Sequence, residues 1–328
     1  MDGAGRPLFL ATLLVFLGVS SCGGDSTTSD FLIVADMTNA SIYMGSLADY
    51  RFSPLPIANT TAPVALGYDP VDGMLYWTDY MDTSILRARL DGSQRELLVY
   101  EGLVDPGGLA LDPAARLMFW TDGSPSNKVE RASMDGRDRR VLVKRTNMPR
   151  AIAVDPRLRH VYWANLNGNA AINRCDYDGG NHMVVVSEAL RAPNGIALDL
   201  TGGWLYWCDA HYKVFERSDL QGGHRQLVLQ ENGSHPFGLA LHGDTLLWTD
   251  WNADWLLRWH MTRKTLDAAG SQTFVKATGI VVHTSADRQR GTTRDPHVTP
   301  LRCDDVITPA IFDRGGVTRG TFFKRRPP

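Results

Sequence analysis

The sequence of 328 residues predicts an all-β protein, a six-bladed β-propeller in which each blade has four antiparallel strands. Three observations predict this fold. An aromatic motif recurs at intervals of 41 to 44 residues, an apolar motif recurs in register with it, and Asp-Gly turns separate alternating segments. The 9 Trp and 31 Gly residues also fit many short strands joined by turns better than they fit helices.

The aromatic motif is Tyr76-Trp77-Thr78-Asp79 in its first complete copy. Later copies begin at Phe119, Tyr162, Tyr206 and Leu247. A degenerate copy that keeps the acid lies 43 residues before Trp77, within Phe31–Asp36. Large rings at this spacing can fill the wedges between blades, so we expect the motif residues to be structural. They are Tyr76, Trp77, Asp79, Trp120, Asp122, Trp163, Trp207, Asp209, Trp248 and Asp250.

The apolar motif is Gly108-Leu109-Ala110-Leu111-Asp112, with further copies beginning at Val64, Ala151, Gly195, Gly238 and Gly279. The turns include Asp91-Gly92 and Asp135-Gly136, which are strong hairpin signals between alternating strands. Four short strands in each unit of about 40–45 residues are typical of a propeller blade. No interval between strands is long enough for the helix of a parallel αβ repeat.

The length available agrees with the number of units. Six units of 43 residues fill residues 30–289. The first unit begins at its aromatic strand and therefore lacks an innermost strand. We expect the last apolar copy, at Gly279–His283, to complete blade 1 and close the ring without an unpaired inner edge.

The two ends of the chain differ from the repeats. Residues 1–22 are predicted to be a signal peptide, because the apolar run at 8–19 is shorter than the ~20 residues of a membrane span. Cys22 also fits a bacterial lipobox, which leaves a lipid anchor as an alternative. No second apolar run reaches membrane-spanning length. Residues 290–328 are predicted to form a poorly ordered basic tail.

The composition of the chain limits the classes of partner and the disulfide bonds that can be expected. The net charge of −2 indicates no nucleic-acid partner. Four cysteines are too few for a disulfide scaffold. Cys175 and Cys208 are interpreted as free buried thiols, with a bridge between them left open, and Cys303 stands alone. The predicted export is compatible with N-glycosylation at three sequons, which begin at Asn39, Asn59 and Asn232.

These motifs together resemble the YWTD propeller, or LDL-receptor class B repeat, over residues 30–289. A WD40 ring has a similar period, but no Gly-His signature precedes the tryptophans here. Three stretches look most like the Wnt co-receptor branch of LDL-receptor-related proteins: 148–155, 192–199 and 235–241, the last followed by Leu247–Trp251.

The resemblance implies a role for the motif acids. In that family this Asp bonds backbone amides of the adjacent blade, as a charge-assisted link. Ala164, Asn165 and Cys208 depart from the motif, so we expect looser contacts between blades near them.

The resemblance also implies a ligand site. The segments just before each innermost strand converge on one mouth of the ring, and there the copies stop resembling each other. Arg150 and Asn194 match positions that, in Wnt co-receptor-like propellers, contact the Asn of an Asn-x-Ile peptide. Phe237 and Trp251 would add apolar and stacking contacts. Alternatively, Arg150 pairs with a neighbouring acid and Asn194 only shapes its turn.

The functional hypothesis is therefore an extracellular protein-binding module that is not an enzyme and carries no cofactor or metal. Its expected partners are secreted proteins, in Wnt signalling or endocytosis, and it would be secreted or the extracellular part of a receptor. Catalytic motifs are absent from the sequence. One alternative is a calcium-dependent lactonase, which Pro193-Asn194-Gly195 superficially resembles. A bacterial lipoprotein with a YWTD propeller is the other.

Overall fold

The computed structural model describes residues 30–285, which form six four-stranded antiparallel sheets arranged around a ring. Each sheet follows the previous one in the chain, and neighbouring innermost strands contact each other. The predicted six-bladed propeller is confirmed. The predicted signal peptide with Cys22, the tail and Cys303 lie outside the described residues.

The 24 strands are assigned to blades as follows. Blade 1 contains β1 (Phe31–Asp36), β2 (Ser41–Ser46), β3 (Phe52–Pro54) and β24 (Ala277–His283). Blade 2 contains β4 (Pro63–Asp69), β5 (Met74–Asp79), β6 (Ser84–Arg89) and β7 (Glu96–Val99). Blade 3 contains β8 (Pro106–Asp112), β9 (Leu117–Asp122), β10 (Lys128–Ser133) and β11 (Arg140–Lys144).

The second half of the ring repeats this plan. Blade 4 contains β12 (Pro149–Asp155), β13 (His160–Asn165), β14 (Ala171–Asp176) and β15 (Met183–Val186), with a 3-10 helix at Asn167–Asn169. Blade 5 contains β16 (Pro193–Asp199), β17 (Trp204–Asp209), β18 (Val214–Asp219) and β19 (Gln226–Gln230). Blade 6 contains β20 (Pro236–His242), β21 (Thr245–Asp250), β22 (Leu257–His260) and β23 (Thr265–Ala268).

The two ends of the ring differ in what they carry. In blades 2 to 6 the chain runs from the innermost strand outward, and neighbouring strands are antiparallel. The upper end is defined here as the end where innermost strands begin. It therefore carries the segments that connect one blade to the next and the loops between second and third strands.

Closure of the ring occurs as predicted. β24 pairs with β1 in an antiparallel register that runs from Phe31 opposite His283 to Asp36 opposite Ala277. The observed strand begins two residues before the predicted Gly279. Its Thr278 hydroxyl donates to the Pro63 carbonyl of blade 2 at 3.0 Å, so the closing strand also joins blade 1 to its neighbour.

The aromatic motif fills the spaces between blades because adjacent residues of a strand point to opposite faces of the sheet. Trp77 packs with Ile33 of blade 1, whereas Tyr76 packs with Trp120 of blade 3. The five motif tryptophans are fully buried. Burial of one such ring removes about 150–250 Å² from water and contributes on the order of 4–6 kcal/mol.

The motif threonine forms a hydrogen bond between neighbouring blades. The ladder of β8 and β9 bulges between Pro106 and Leu109, which frees the N–H of Gly108. This N–H donates to Thr121 Oγ1 at 2.8 Å, and the hydroxyl donates to the Arg150 carbonyl of blade 4 at 2.6 Å. Thr78 and Thr249 make the same two bonds in blades 2 and 6.

The motif acid has a different partner from the one expected. Asp122 Oδ1 accepts the backbone N–H groups of Val104 and Asp105, at 3.1 and 2.8 Å. These amides belong to the segment that enters blade 3, not to a strand of an adjacent blade. Equivalent segments donate to Asp79, Asp209 and Asp250. The acids are structural, but the expectation of a bond to the adjacent blade is corrected: they anchor each blade's incoming segment.

Blades 4 and 5 lack the threonine bond. Ala164 has no hydroxyl, and Asn165 Oδ1 accepts from the Thr146 hydroxyl at 2.6 Å. In blade 5 the Cys208 sulfur lies 3.8 Å from the Gly195 carbonyl oxygen and 3.9 Å from that of Phe237. Because a thiol is a weak donor, this contact is a poor substitute for the hydroxyl.

Candidate functional site: the upper mouth

Six residues, each the second of its innermost strand, surround the upper opening of the ring. They line a cavity of about 90 Å³ and are Val64, Gly107, Arg150, Asn194, Phe237 and Thr278. Pro precedes five of them, a residue that sheets tolerate at the start of a strand. The structure therefore brings Arg150, Asn194 and Phe237 to equivalent positions of successive blades.

The narrowness of this cavity follows from the close approach of the innermost strands. A Cβ placed on Gly108 would lie 2.4 Å from the Arg150 carbonyl oxygen, and one on Gly195 would lie 2.6 Å from that of Phe237. Pockets that enclose small molecules usually measure about 300–1,000 Å³. The mouth is smaller and fits one inserted side chain better than a whole small molecule.

The Arg150 side chain is held loosely at this mouth. Its Nη1 lies 4.0 Å from Asp105 Oδ1, and its guanidinium carbon lies 6.0 Å from the centre of the Phe237 ring. The side chain is 26% exposed. The predicted alternative, pairing with a neighbouring acid, is present only at this long distance, so most of the guanidinium donors have no hydrogen-bond partner within residues 30–285.

Asn194 connects two blades while keeping an acceptor. Its Nδ2 donates to the Pro236 carbonyl of blade 6 at 3.0 Å. Within residues 30–285, its Oδ1 has no hydrogen-bond partner. The amide is therefore oriented by the next blade and presents an oxygen to an incoming donor.

Phe237 and Trp251 form one aromatic cluster with His235. The Phe237 and Trp251 rings are stacked, with their centres 4.7 Å apart, and Trp251 also stacks on His235 at 5.4 Å. The indole N–H of Trp251 donates to the Ala277 carbonyl at 2.9 Å, and Lys276 Nζ lies 4.1 Å from the ring centre. Phe237 is 8% exposed and lines the cavity, whereas Trp251 lies outside its lining.

Sequence reasoning missed Lys276 and gave no role to Asp105 or His235. These residues occupy the same place, two positions before the residue that lines the mouth, in three different units. The mouth thus combines two cations, one carboxylate, one amide and stacked rings. Such a set can hold a polar side chain by hydrogen bonds and its apolar neighbour by ring contacts.

The lower end of the ring holds a larger cavity of about 680 Å³, with Tyr68, Pro113 and Leu200 in its lining. Its lining includes Arg157, whose guanidinium already donates to Asp155 and to the Leu200 carbonyl. This cation is therefore occupied, in contrast to Arg150 at the upper mouth.

The two described cysteines are free thiols and lie in different clusters between blades, so the open alternative of a Cys175–Cys208 bridge is excluded. Burial raises the pKa of the Cys175 thiol to about 12, and burial likewise raises the pKa of Cys208. Both are packing residues rather than nucleophiles.

The three predicted glycosylation asparagines, Asn39, Asn59 and Asn232, are exposed at the upper end. In two of the sequons the hydroxyl residue has a structural role. The Thr61 hydroxyl donates to Asp79 and the Ser234 hydroxyl to Asp250. The fold alone therefore accounts for the Ser or Thr at these two places.

The described part of the chain contains no helix with the length and hydrophobicity that a membrane crossing needs. Nor do residues 30–285 gather three or more His, Cys, Asp or Glu side chains into a group able to hold a metal ion.

The repeated motifs, the ring and its closure define a six-bladed propeller built of YWTD repeats. The sequence matches the low-density lipoprotein receptor repeat class B at residues 73–113, 116–156, 159–200 and 203–242, which is half of the chain. The chain belongs to this family.

Two large receptors and one shorter protein are among its relatives. The chain is 37% identical to the human sortilin-related receptor over 68 residues, which are 21% of the chain and 3% of the receptor. It is 40% identical to the Drosophila melanogaster vitellogenin receptor Yl over 67 residues, 20% of the chain and 3% of that receptor. The chain thus aligns with only a small part of these receptors.

The third relative is the human low-density lipoprotein receptor-related protein 5-like protein, with 36% identity over 83 residues, 25% of the chain and 33% of the relative. Among solved structures, a chain in the crystal structure of a nidogen/laminin complex superposes with a TM-score of 0.71 and 30% identity. The match covers 78% of this chain and 99% of that one. The relatives therefore support an extracellular, ligand-binding propeller.

Proposed function

We propose that the protein is an extracellular receptor-type module that binds a short segment of a secreted protein at the upper mouth. Arg150 and Asn194 are the polar anchors, and Phe237 with Trp251 forms the apolar wall beside them. The observation that carries this proposal is the equivalence of Arg150, Asn194 and Phe237 in three successive blades around one opening.

The chemistry at these positions suits an inserted Asn side chain. An Asn of the ligand has a carbonyl that can accept from the Arg150 guanidinium and an N–H that can donate to Asn194 Oδ1. An apolar residue two positions later can pack on the aromatic cluster. The small volume of the mouth favours a peptide side chain over an enclosed small molecule.

The test is a calorimetric titration of an Asn-x-Ile peptide against the wild-type chain and the Arg150→Ala and Asn194→Ala variants. We expect each variant to weaken binding about tenfold, which corresponds to about 1.4 kcal/mol. Arg191→Ala is the matched control, because Arg191 is an exposed upper-end cation without an ion pair in the described chain. An Ala-x-Ile peptide should not bind the wild-type chain or any of the three variants. Equal affinity for wild type and Asn194→Ala, or no binding to either, would reject this site.

The proposal extends to the biological process in which the module acts. A Wnt co-receptor role is supported by the three branch-like stretches and by the partial similarity to the receptor-related protein 5-like protein. An endocytic role is supported by the similarity to the vitellogenin and sortilin-related receptors. An Asn-x-Ile peptide and peptides from vitellogenin, titrated side by side, discriminate the two.

The alternatives have their own tests. A lactonase would bind calcium tightly and turn over a lactone, which calorimetry and a hydrolysis assay detect. Mass spectrometry of the mature N-terminus distinguishes signal-peptidase cleavage from a lipidated Cys22.

A further inference from the structure

Blade 4 differs from its neighbours at the outer face of its motif tryptophan. In blade 3, Arg139 lies over Trp120, with its guanidinium carbon 5.4 Å from the ring centre, and pairs with Glu130 through two bonds of 2.8 Å. Arg225 and Glu216 form the same arrangement over Trp207 in blade 5. These ion pairs cover the tryptophans and bridge the two outer strands.

Blade 4 has replaced both partners of this pair. The strand register places Asn173 opposite Val184, just as Glu130 lies opposite Val141 in blade 3. His182 stands where Arg139 stands in blade 3, and its ring lies 5.1 Å from that of Trp163. Together with Asn165 in place of the motif acid, these changes remove two carboxylates and one long cation from a single blade.

A cavity of about 620 Å³ lies here, between blade 4 and the outermost strand of blade 3, and is called the blade 4 cavity. Neutral polar side chains are prominent in its lining, and they are Thr146, Asn147, Asn165, Asn169, Asn173 and Ser187. Lys144 and Arg145 lie at its edge, both exposed. No Asp or Glu is among its lining residues.

Two buried amides of this cavity have hydrogen-bonding capacity to spare. Asn165 is 8% exposed, and its Oδ1 is used by Thr146, but its Nδ2 has no partner within residues 30–285. Asn173 is 4% exposed, and its Nδ2 makes only a long contact of 3.4 Å with the Ala171 carbonyl. Both amides line the cavity, so their N–H groups are available to a polar ligand there.

We propose that the blade 4 cavity, defined by Lys144, Arg145, Asn165, Asn173 and His182, binds a sulfated oligosaccharide segment of an anionic glycan. The volume is in the range of ligand pockets of about 300–1,000 Å³. Six amide or hydroxyl side chains line the cavity, against two cations at its edge, and this ratio suits a ligand with more hydroxyl groups than charges. The Lys144 and Arg145 cations make no ion pair in the described chain and would meet the sulfates. This site is independent of the peptide proposed for the upper mouth.

The test titrates a chondroitin 4-sulfate hexasaccharide, which has more hydroxyl groups than charges, into the whole chain by calorimetry. We expect Lys144→Ala/Arg145→Ala to weaken binding about tenfold, because two charges that face the sulfates are lost. The matched control is Arg263→Ala/Lys264→Ala, which removes two adjacent exposed cations of blade 6. Equal losses in both double variants would reject the cavity in favour of diffuse surface charge.

A second variant keeps the net charge and restores the ion pair of the neighbouring blades. Asn173→Glu/His182→Arg should melt no lower than wild type, abolish hexasaccharide binding and leave binding of the Asn-x-Ile peptide unchanged. Wild-type hexasaccharide affinity in this variant would overturn the proposal. So would equal binding of a desulfated hexasaccharide, or binding of hexaglutamate instead, which would indicate an acidic protein segment.

Discussion

Replacement of Thr121 tests how much a hydrogen bond between two blades contributes to the stability of the ring. Thr121→Val keeps the shape of the side chain and removes only the hydroxyl. That hydroxyl accepts from Gly108 and donates to the Arg150 carbonyl, so one substitution breaks the bond between blades 3 and 4 and the bond that fills the strand bulge.

The expected cost follows from the two backbone groups left behind. Thr121 is fully buried, so water does not replace the hydroxyl. A buried donor or acceptor that loses its partner costs about 1–3 kcal/mol, and the two together cost about 3 kcal/mol. For a domain of this size, each kcal/mol lowers the melting temperature by about 2–4 °C, so the expected decrease is roughly 6–12 °C.

Differential scanning calorimetry on the purified chain measures this decrease. Thr121→Ser is the control, because it loses a methyl group but keeps the hydroxyl, and we expect it to melt much closer to wild type. Blade 4 already lacks this hydroxyl at Ala164, so the ring tolerates one missing bond and the valine variant should fold. A decrease below about 1 °C for Thr121→Val, or equal decreases for Val and Ser, would refute the reasoning.

Three further predictions concern stability and ionisation. Ala164→Ser should raise the free energy of unfolding by about 1 kcal/mol, because it supplies the hydroxyl that blade 4 lacks; an unchanged or lower melting temperature would contradict this. At pH 8 the native Cys175 should react with iodoacetamide far more slowly than in urea, because burial raises its pKa to about 12 from 9.0; mass spectrometry measures the labelling, and equal rates would oppose this account. Burial, together with the charge of Arg174, lowers the pKa of His160 below 6.5. As the pH falls, this histidine is therefore protonated in the unfolded chain at a higher pH than in the folded one. The contribution of the neutral His160 to the free energy of unfolding is therefore present above about pH 6.5 and lost as the pH falls below that value. In urea unfolding, His160→Gln should make the free energy of unfolding decline less steeply below about pH 6.5. The same pH dependence in the variant and the wild type would count against this prediction.

The fold could be predicted from the sequence because burial dictates the repeat. Tyr76 and Trp77 are adjacent yet pack against different blades, so both positions must be apolar in every unit that packs between two others. The closing strand was predictable for a similar reason, since the apolar copy at Gly279 had no aromatic strand of its own.

The hydrogen bonds within the repeat were not predictable in the same way. Sequence spacing places Thr121 and Asp122 side by side but does not show which one reaches the next blade. The bulge before Leu109 decides this, because it exposes the Gly108 N–H to the threonine, and no residue of the motif marks a bulge.

The sequence predicted where the candidate site lies, but it did not predict every residue of the site. Divergence among the segments before the innermost strands identified Arg150, Asn194 and Phe237, and the structure places all three around one cavity. Lys276 was missed because it lies in the most degenerate unit. The position of Trp251 depends on a bond to Ala277, 26 residues away, which no local pattern shows.

The hydrogen bonds that join the blades use main-chain atoms, whereas the side chains at the mouth of the ring vary. The threonine of one blade bonds the backbone carbonyl, not the side chain, of the mouth residue in the next blade, as Thr121 does with Arg150 and Thr249 with Thr278. The neighbouring Gly108 is constrained by the approach of the same carbonyl. Because these constraints act on the main chain, Gly107, Arg150 and Thr278 can occupy equivalent positions while keeping the same bond between blades. Arg150→Ala should therefore weaken peptide binding while leaving the melting temperature within about 1 °C of wild type. That separation explains how a strict repeat can carry unlike side chains at its mouth.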